Sequence, residues 1–217
     1  MSDIIALLPK CTAQTVYMTF VSTLLACVMG FPLGIVLYGT SPGGLWPRRI
    51  LYNALSHIVN VLRSFPFIIL MVLVMPLSRR IVGTGVGPKA VIIPLAIAAA
   101  PFVARLTESA LQEVDNGVLT AARAMGSTDI QIVEKVLIPE ALPALISGLA
   151  LTIITIIGYS AMAGAIGGEG LGDMAIRYGY YRFRMDITIA AVIIILLLVE
   201  IFQAAGTLAS RKLLSKR

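Results

Sequence analysis

Charge is scarce in this sequence. Lys, Arg, Asp and Glu make up 13% of its 217 residues, about half the share of an ordinary soluble domain. A soluble fold of this size needs that polar surface to face water, so much of this chain's surface is expected to face lipid. His57 is the only histidine; a multi-histidine metal site within one chain is therefore excluded, and no motif supports a serine–histidine triad. The two cysteines, Cys11 and Cys27, give neither a disulfide framework nor a metal spacing. Cys27 sits inside an apolar run and reads as a small packing residue. The N-terminus lacks the basic segment of a cleaved signal peptide, and its first apolar run is too long for one, so it reads as a retained span. Acidic residues are outnumbered 11 to 17, for a formal net charge of +6. The basic residues are scattered between apolar runs, as expected of span flanks beside anionic lipid. They do not form the basic, aromatic-interleaved face of a nucleic-acid binder.

Apolar sequence is abundant: 58% of residues are hydrophobic and the mean hydropathy is +0.93. A spanning helix needs about 20 mostly apolar residues to cross about 30 Å of hydrocarbon. Five spans are expected, at about 16–38, 57–77, 88–110, 141–165 and 187–208. The fold class is an all-α polytopic membrane protein, with residues 1–217 as a single transmembrane domain. The second span is short unless it borrows upstream residues, which brings Arg63 in near one end. The third contains Pro94 and Pro101, tolerated in a membrane where neighbouring helices satisfy the freed backbone groups. An odd number of spans puts the termini on opposite sides. The basic tail Arg211, Lys212, Lys216 and Arg217 places the C-terminus in the cytoplasm and the N-terminus outside.

The one long polar stretch falls between the third and fourth spans. Asp115-Asn116-Gly117 forms a capped turn, after which Val118, Leu119, Ala122 and Met125 repeat at helical spacing. Gly126 stops that helix. Thr128 with Gln131 reads as a capping box for the next, whose apolar face is Ile130, Val133, Val136 and Leu137. Pro139 and Pro143 mark the return into the membrane.

This stretch, residues 115–140, resembles the loop of ABC-importer permeases, whose pattern is E-A-A, three residues, Gly, nine residues, I-x-L-P. Thr120-Ala121-Ala122, with Arg123 adjoining, is followed at that spacing by Gly126 and then by Val136, Ile138 and Pro139. The departure is Thr120, where the family often has Glu; a salt bridge from that position is not expected here. The resemblance implies a coupling helix that docks in a groove of a cytoplasmic ATPase subunit. Physically, the small residues Ala121 and Ala122 would let a partner's surface approach, and the glycine would let a short helix lie across the membrane plane.

Residues 62–69, 81–84, 158–172 and 178–180 look more narrowly like the methionine-import permeases. That resemblance implies a homodimer in the bacterial cytoplasmic (inner) membrane, two ATPase subunits that bind the ATP, an external methionine-binding protein, and methionine as cargo. No cofactor is expected in this chain, and no catalysis of its own. Residues 83–89 superficially look like a phosphate-binding loop but lack its Gly-Lys-Ser/Thr ending and carry Pro88; they read as a turn. The glycines of 158–172 allow close packing or a parting gate, and Tyr159, Ser160 and Met162 are candidates for the translocation path or gate. Met162 reads first as space-filling between helices and second as a lining of the path.

Glu200 lies about ten residues, or about 15 Å of helix rise, before the chain's polar end. A charge at that depth costs about 2.5–3.5 kcal/mol on insertion scales, so Glu200 is expected to be paired, protonated or turned to the dimer interior; a proton-coupled role is the alternative. Residues 177–184 mix arginines with Tyr178, Tyr180, Tyr181 and Phe183 and read as an interfacial aromatic belt or a docking surface for the binding protein. Two other functions stay open: a permease for a different amino acid, and a self-contained secondary transporter. Neither the repeated halves nor the paired broken helices typical of the latter are found in the sequence.

Overall fold

The apolar runs fold into helices throughout the computed structural model, which describes residues 2–215, with side chains from residue 7. In chain order these are α1 (Ser2–Thr40), α2 (Arg49–Ser64), α3 (Phe67–Val82), α4 (Pro88–Gln112), α5 (Asn116–Ala124), α6 (Asp129–Ile132), a π-helical turn (Val133–Leu137), α7 (Ile138–Gly164), α8 (Gly170–Met174), a second π-helical turn (Ala175–Tyr180) and α9 (Met185–Leu214). Among the described residues four helices are long and apolar enough to cross a membrane, and a fifth span arises if α2 and α3 count as one bent crossing. Lys216 and Arg217 of the basic tail lie outside the described residues.

Two boundaries differ from the sequence reading. The span expected at 57–77 is not one helix: α2 and α3 meet at 103°. Pro66 forces the residue before it out of the helical region, and Phe65 is extended at φ −72°, ψ 127°. Conversely, Pro139 and Pro143 do not interrupt the chain. Residues Asp129–Gly164 form one continuous 36-residue helix. The turn before Pro139 widens to π geometry, and the Ile138 N–H reaches back to the Val133 carbonyl. A wider turn accommodates a proline that can neither donate nor fit the regular ladder.

α4 is the central helix, with 72% of its most apolar window buried, against 11% for α9 at the periphery. α1 packs along α4 through Gly30 and Gly34, one turn apart. A β-carbon at Gly30 would lie 2.4 Å from the Ala100 carbonyl oxygen, and one at Gly34 would lie 2.6 Å from that of Ala104. Two small residues at this spacing let helix backbones meet in lipid, where dispersion and close fit replace the hydrophobic effect between helices. α7 packs against α4 on one side and α9 on the other, with Gly206 against Ala150. One core joins Met18, Met71, Val91, Leu95 and Ile156; a second, at the end of the bundle where α5 and α6 lie, joins Tyr38, Leu111, Leu119, Ile132 and Leu137.

Candidate functional site

The α5–α6 corner is built entirely by local chemistry. Asp115 caps α5, its Oδ1 accepting from the Gly117 N–H at 2.7 Å. Gly126 closes the helix at φ 82°. The Ser127 N–H bonds to the Ala122 carbonyl at 3.1 Å and the Gly126 N–H to that of Arg123 at 2.9 Å, which is the Schellman pattern of a glycine-terminated helix. The next helix starts on a full capping box: the Thr128 N–H donates to Gln131 Oε1 at 2.9 Å and the Gln131 N–H to Thr128 Oγ1 at 3.4 Å. With both helix ends satisfied, the corner is rigid, and among the described residues nothing beyond the glycine's own chain neighbours lies within 4 Å of where a Gly126 β-carbon would sit.

The faces of this corner depart from the periodic reading. Leu119, Val133 and Leu137 are buried as expected, but Met125 is 80% and Ile130 70% exposed. They flank Gly126 in the chain, and Val118 is exposed as well. Ala122, expected on the outward small-residue face, is buried in the chain's own core; Thr120, Ala121 and Arg123 face outward. The Thr120 hydroxyl donates to the Asn116 carbonyl at 2.9 Å, so the residue standing at the family's Glu position is satisfied within its own helix. Val136 and Ile138 are half-buried against the core and Pro139 is exposed.

The α2–α3 break opens a cavity of about 450 Å³ between α2, α3, α4 and α7. Its walls include Arg63, Phe65, Phe67, Ala98, Phe102 and Tyr159. The rings of Phe67 and Tyr159 stack with centroids 4.4 Å apart and planes within 1°, and the Arg63 guanidinium lies 5.9 Å from the Phe102 ring centre. Of the candidate path residues, Tyr159 lines this cavity. Met162 lies one turn further along α7 and is 48% exposed. Ser160 does not reach the cavity: it is buried and donates to the Ile157 carbonyl at 2.8 Å. Arg63, Phe67 and Phe102 were not singled out as path residues by sequence. The Phe65-Pro66 dipeptide was the available signal, because an extended residue before proline inside an apolar run marks a broken span.

A polar node braces the cavity's base. Arg105 of α4 donates to Glu108 Oε2 at 2.6 Å, to Ser56 Oγ at 2.9 Å and to Asn60 Oδ1 at 2.8 Å. Gln112 adds a bond to the other Glu108 oxygen at 3.3 Å. Glu108 is 1% exposed, yet sequence reading passed over it because it lies where the apolar run gives way to polar residues. Glu200, by contrast, is exposed on α9 and has no ion-pair partner among the described residues.

At the opposite end of the bundle, the glycine-rich segment is packed tightly. A β-carbon at Gly172 would lie 2.3 Å from the Ala161 carbonyl oxygen, and one at Gly164 would lie 2.2 Å from the Asp173 nitrogen, so α8 lies backbone to backbone on the end of α7. Thr15 of α1 accepts from the Leu171 N–H at 2.9 Å, and the Gln14 amide donates to the Glu169 carboxylate. Burial pushes the Asp173 carboxyl above its ordinary range, against the pull of Arg177, whose guanidinium lies 3.1 Å away. Beyond this clasp Tyr180, Tyr181 and Phe183 are exposed. Residues 83–87 form a turn in which Gly83 caps α3 in the left-handed region at φ 81°.

Comparison with known proteins places these features in context. Residues 30–215 match the family described as binding-protein-dependent transport system inner membrane component. The chain is 46% identical over 206 residues to a probable D-methionine transport system permease protein of Vibrio cholerae, covering 95% of this chain and 92% of that one. It is 49% identical over 201 residues to the Haemophilus influenzae counterpart, covering 93% and 94%. Over 151 residues it is 52% identical to the D-methionine transport system permease protein of Escherichia coli K12, 70% of each chain. Among solved structures, a chain of the MetNI methionine ABC transporter in an inward-facing conformation superposes with a TM-score of 0.96 at 44% identity, covering 98% of this chain and 99% of that one. A chain of an amino acid ABC transporter solved with histidines shares the fold, at TM-score 0.79 and 22% identity over 98% of this chain and 96% of that one.

Proposed function

We propose, from the premise that this chain belongs to the family of binding-protein-dependent transport system inner membrane components, that it is the membrane-spanning permease subunit of an ABC importer for methionine. The observation that carries this reading is the near-complete superposition on a methionine ABC transporter chain, at 44% identity over 98% of this chain. On this reading the fold is that of a type I importer permease. Two copies assemble in the bacterial inner membrane, with N-termini outside and C-termini in the cytoplasm. Two cytoplasmic ATPase subunits hold the ATP, and an external binding protein delivers the cargo.

The geometry supports a division of labour. The corner at Gly126 is the coupling element: a rigid turn with Val118, Met125 and Ile130 exposed around it, suited to a groove on the ATPase. Exposed apolar patches of this kind mark partner surfaces. Tyr159 and Met162 lie on the translocation path, and the clasp around Gly172 closes its outer end. ATP-driven closure of the partner subunits moves the corner and alternates access to the path.

The test is reconstitution of the chain with its ATPase subunit and binding protein. ATP-dependent uptake of labelled methionine is expected. The Gly126→Asp variant should insert normally but lose both uptake and stimulated ATPase activity. Wild-type uptake by that variant removes the coupling assignment.

A further inference from the structure

We propose that the cavity at the α2–α3 break is a cargo-binding site of the permease, taking an amino acid zwitterion with an apolar side chain. Arg63 holds the cargo's carboxylate, and the stacked Phe67–Tyr159 pair receives its side chain. The proposal rests on the methionine-permease reading above and adds where and how the cargo is held.

Depth is the first argument. Ala98, on the cavity wall, lies ten residues into α4 from Pro88, or about 15 Å of helix rise into a hydrocarbon layer of about 30 Å. Non-helical backbone at that depth persists only where it is buried in protein or lines a cavity, and Phe65–Pro66 is such a segment. The second argument is charge. An arginine at this depth is costly and marks a functional path. The ion pairs among the described residues join Arg105 to Glu108, Arg177 to Asp173 and Arg184 to Asp186, so no carboxylate among the described residues neutralises Arg63. A guanidinium presents a planar fork matched to one carboxylate, which a free amino acid supplies.

The remaining walls fit the rest of such a molecule. About 450 Å³ is within the size range of small-molecule sites, about 300–1,000 Å³. Sulfur packs favourably against aromatic rings, and Phe67 and Tyr159 provide two. α2 ends at the break beside the cavity, and the last carbonyls of a helix lack helical partners; that of Leu62 is taken by the Phe65 N–H, and those after it are the acceptors assigned to the cargo's ammonium group. Asn60, also on the wall, is held by Arg105 and fixes the end of α2 against α4.

The experiment uses the complex with its ATPase subunit in nanodiscs, without binding protein. Leu62→Cys, on the cavity wall, is introduced after Cys11 and Cys27 are replaced by serine, and its alkylation by a maleimide is timed. Methionine and norleucine are expected to slow the reaction, and methioninamide, which lacks the carboxylate, is not. Arg63→Gln should raise the half-protecting methionine concentration about 10- to 100-fold, the worth of one charge-assisted contact, and Arg63→Lys should raise it less. Equal protection by methionine and methioninamide overturns the proposal without recourse to any Arg63 variant. So does an unchanged half-protecting concentration in Arg63→Gln, which would leave Arg63 as no more than a complement to the α2 dipole. ATP-driven methionine uptake by the unmodified complex with its binding protein is measured alongside. If uptake is present while methionine leaves the alkylation rate unchanged, this site alone falls; if uptake is absent, the functional reading falls and the site with it.

Discussion

Gly34→Ala puts the α1–α4 contact to a quantitative test. The added β-carbon would lie 2.5 Å from Thr107 Cβ and 2.6 Å from the Ala104 carbonyl oxygen. Neither obstacle is the free end of a flexible side chain, so relief must come from the helices themselves. Ordinary contact begins near 3.4 Å, so the helices must part locally by about 0.9 Å, a gap that forfeits up to half of each pair's dispersion attraction. Overpacking of this kind costs about 1–3 kcal/mol, and the rigid neighbours place it toward the upper end. Alanine's better helix propensity returns about 0.8–1 kcal/mol. The net loss is about 1–2 kcal/mol, which at about 2–4 °C per kcal/mol for a chain of this size lowers Tm by about 2–8 °C. Gly30→Ala should behave alike, and the double variant should cost less than the two combined, because one separation relieves both clashes. Gly158→Ala is the control: among the described residues nothing beyond its own helix lies within 4 Å of its β-carbon position, so it should raise stability by about 0.5–1 kcal/mol. The readout is the monodisperse fraction of detergent-purified chain after stepwise heating. A Gly34→Ala chain as stable as the unmodified one, or a strictly additive double variant, refutes the close approach.

Three further outcomes are expected. Gly126→Asp should cost the isolated chain no more than about 1–2 kcal/mol of left-handed backbone strain while abolishing ATPase stimulation and uptake in the complex; a large loss of Tm would mean that the corner serves folding instead. Arg105→Gln leaves the buried Glu108 carboxylate without its cation, held only by Gln112 among the described residues, and should destabilise by about 3–5 kcal/mol, with Glu108→Gln in the same chain restoring part of the loss; a double variant no more stable than the single removes the pairing argument. Asp173 titrates above its ordinary value of 3.8 because burial outweighs Arg177. The folded chain thus holds that proton more tightly than the unfolded one. The associated stability is fully present below pH 3.8 and is lost as pH rises through the folded value. Asp173→Asn should therefore match or exceed the unmodified chain in Tm at pH 7, with the difference vanishing in acid; a Tm deficit confined to neutral pH would mean that the Arg177 pair dominates.

The elements legible from sequence were those with a local cause. Asp115, Gly126 and the Thr128–Gln131 pair act within a few residues of themselves, and each sits as its chemistry requires. Four long apolar helices followed from apolar length, whereas the run expected as one span at 57–77 is broken between α2 and α3. The misreadings came from tertiary context. Helical spacing put Met125 and Ile130 on apolar faces, but spacing cannot say whether the chain covers a face or leaves it exposed, and here both are exposed. Pro66 and Pro139 carry the same local penalty, yet one breaks the helix and the other is absorbed by a π turn; that difference lies in what packs around each. Gly30 and Gly34 stand four apart in plain view, but their meaning depends on α4 lying across them. Arg63, Phe102 and Tyr159 come from three distant parts of the chain, and only the fold brings them to one cavity.

The continuous helix Asp129–Gly164 joins the two proposed sites. Thirty residues, or about 45 Å of rise, separate the start of that helix, next to Gly126, from Tyr159 on the cavity wall. The corner itself is hydrogen-bonded on both sides of Gly126 and has little give, so on the proposed mechanism a displacement there passes into α7, with the π turn at Val133–Leu137 and the two prolines as the points where the helix can flex. The other cavity walls are anchored to α4: Arg105 ties α2 to it and the Ser78 hydroxyl ties α3 to the Ala90 carbonyl; outside the cavity, α1 is held along α4 at Gly30 and Gly34. Motion of α7 against that frame must be resolved where the two meet. At the cavity that boundary is the Phe67–Tyr159 stack, a contact worth about 0.5–1.5 kcal/mol beyond its buried area. A stacked pair can slide or part without leaving a polar group unpaired, whereas the bonds to Ser56 and Asn60 cannot. On the proposed mechanism, an aromatic stack at the moving boundary and hydrogen bonds within the fixed frame let the proposed cargo site open while the central helix stays clamped.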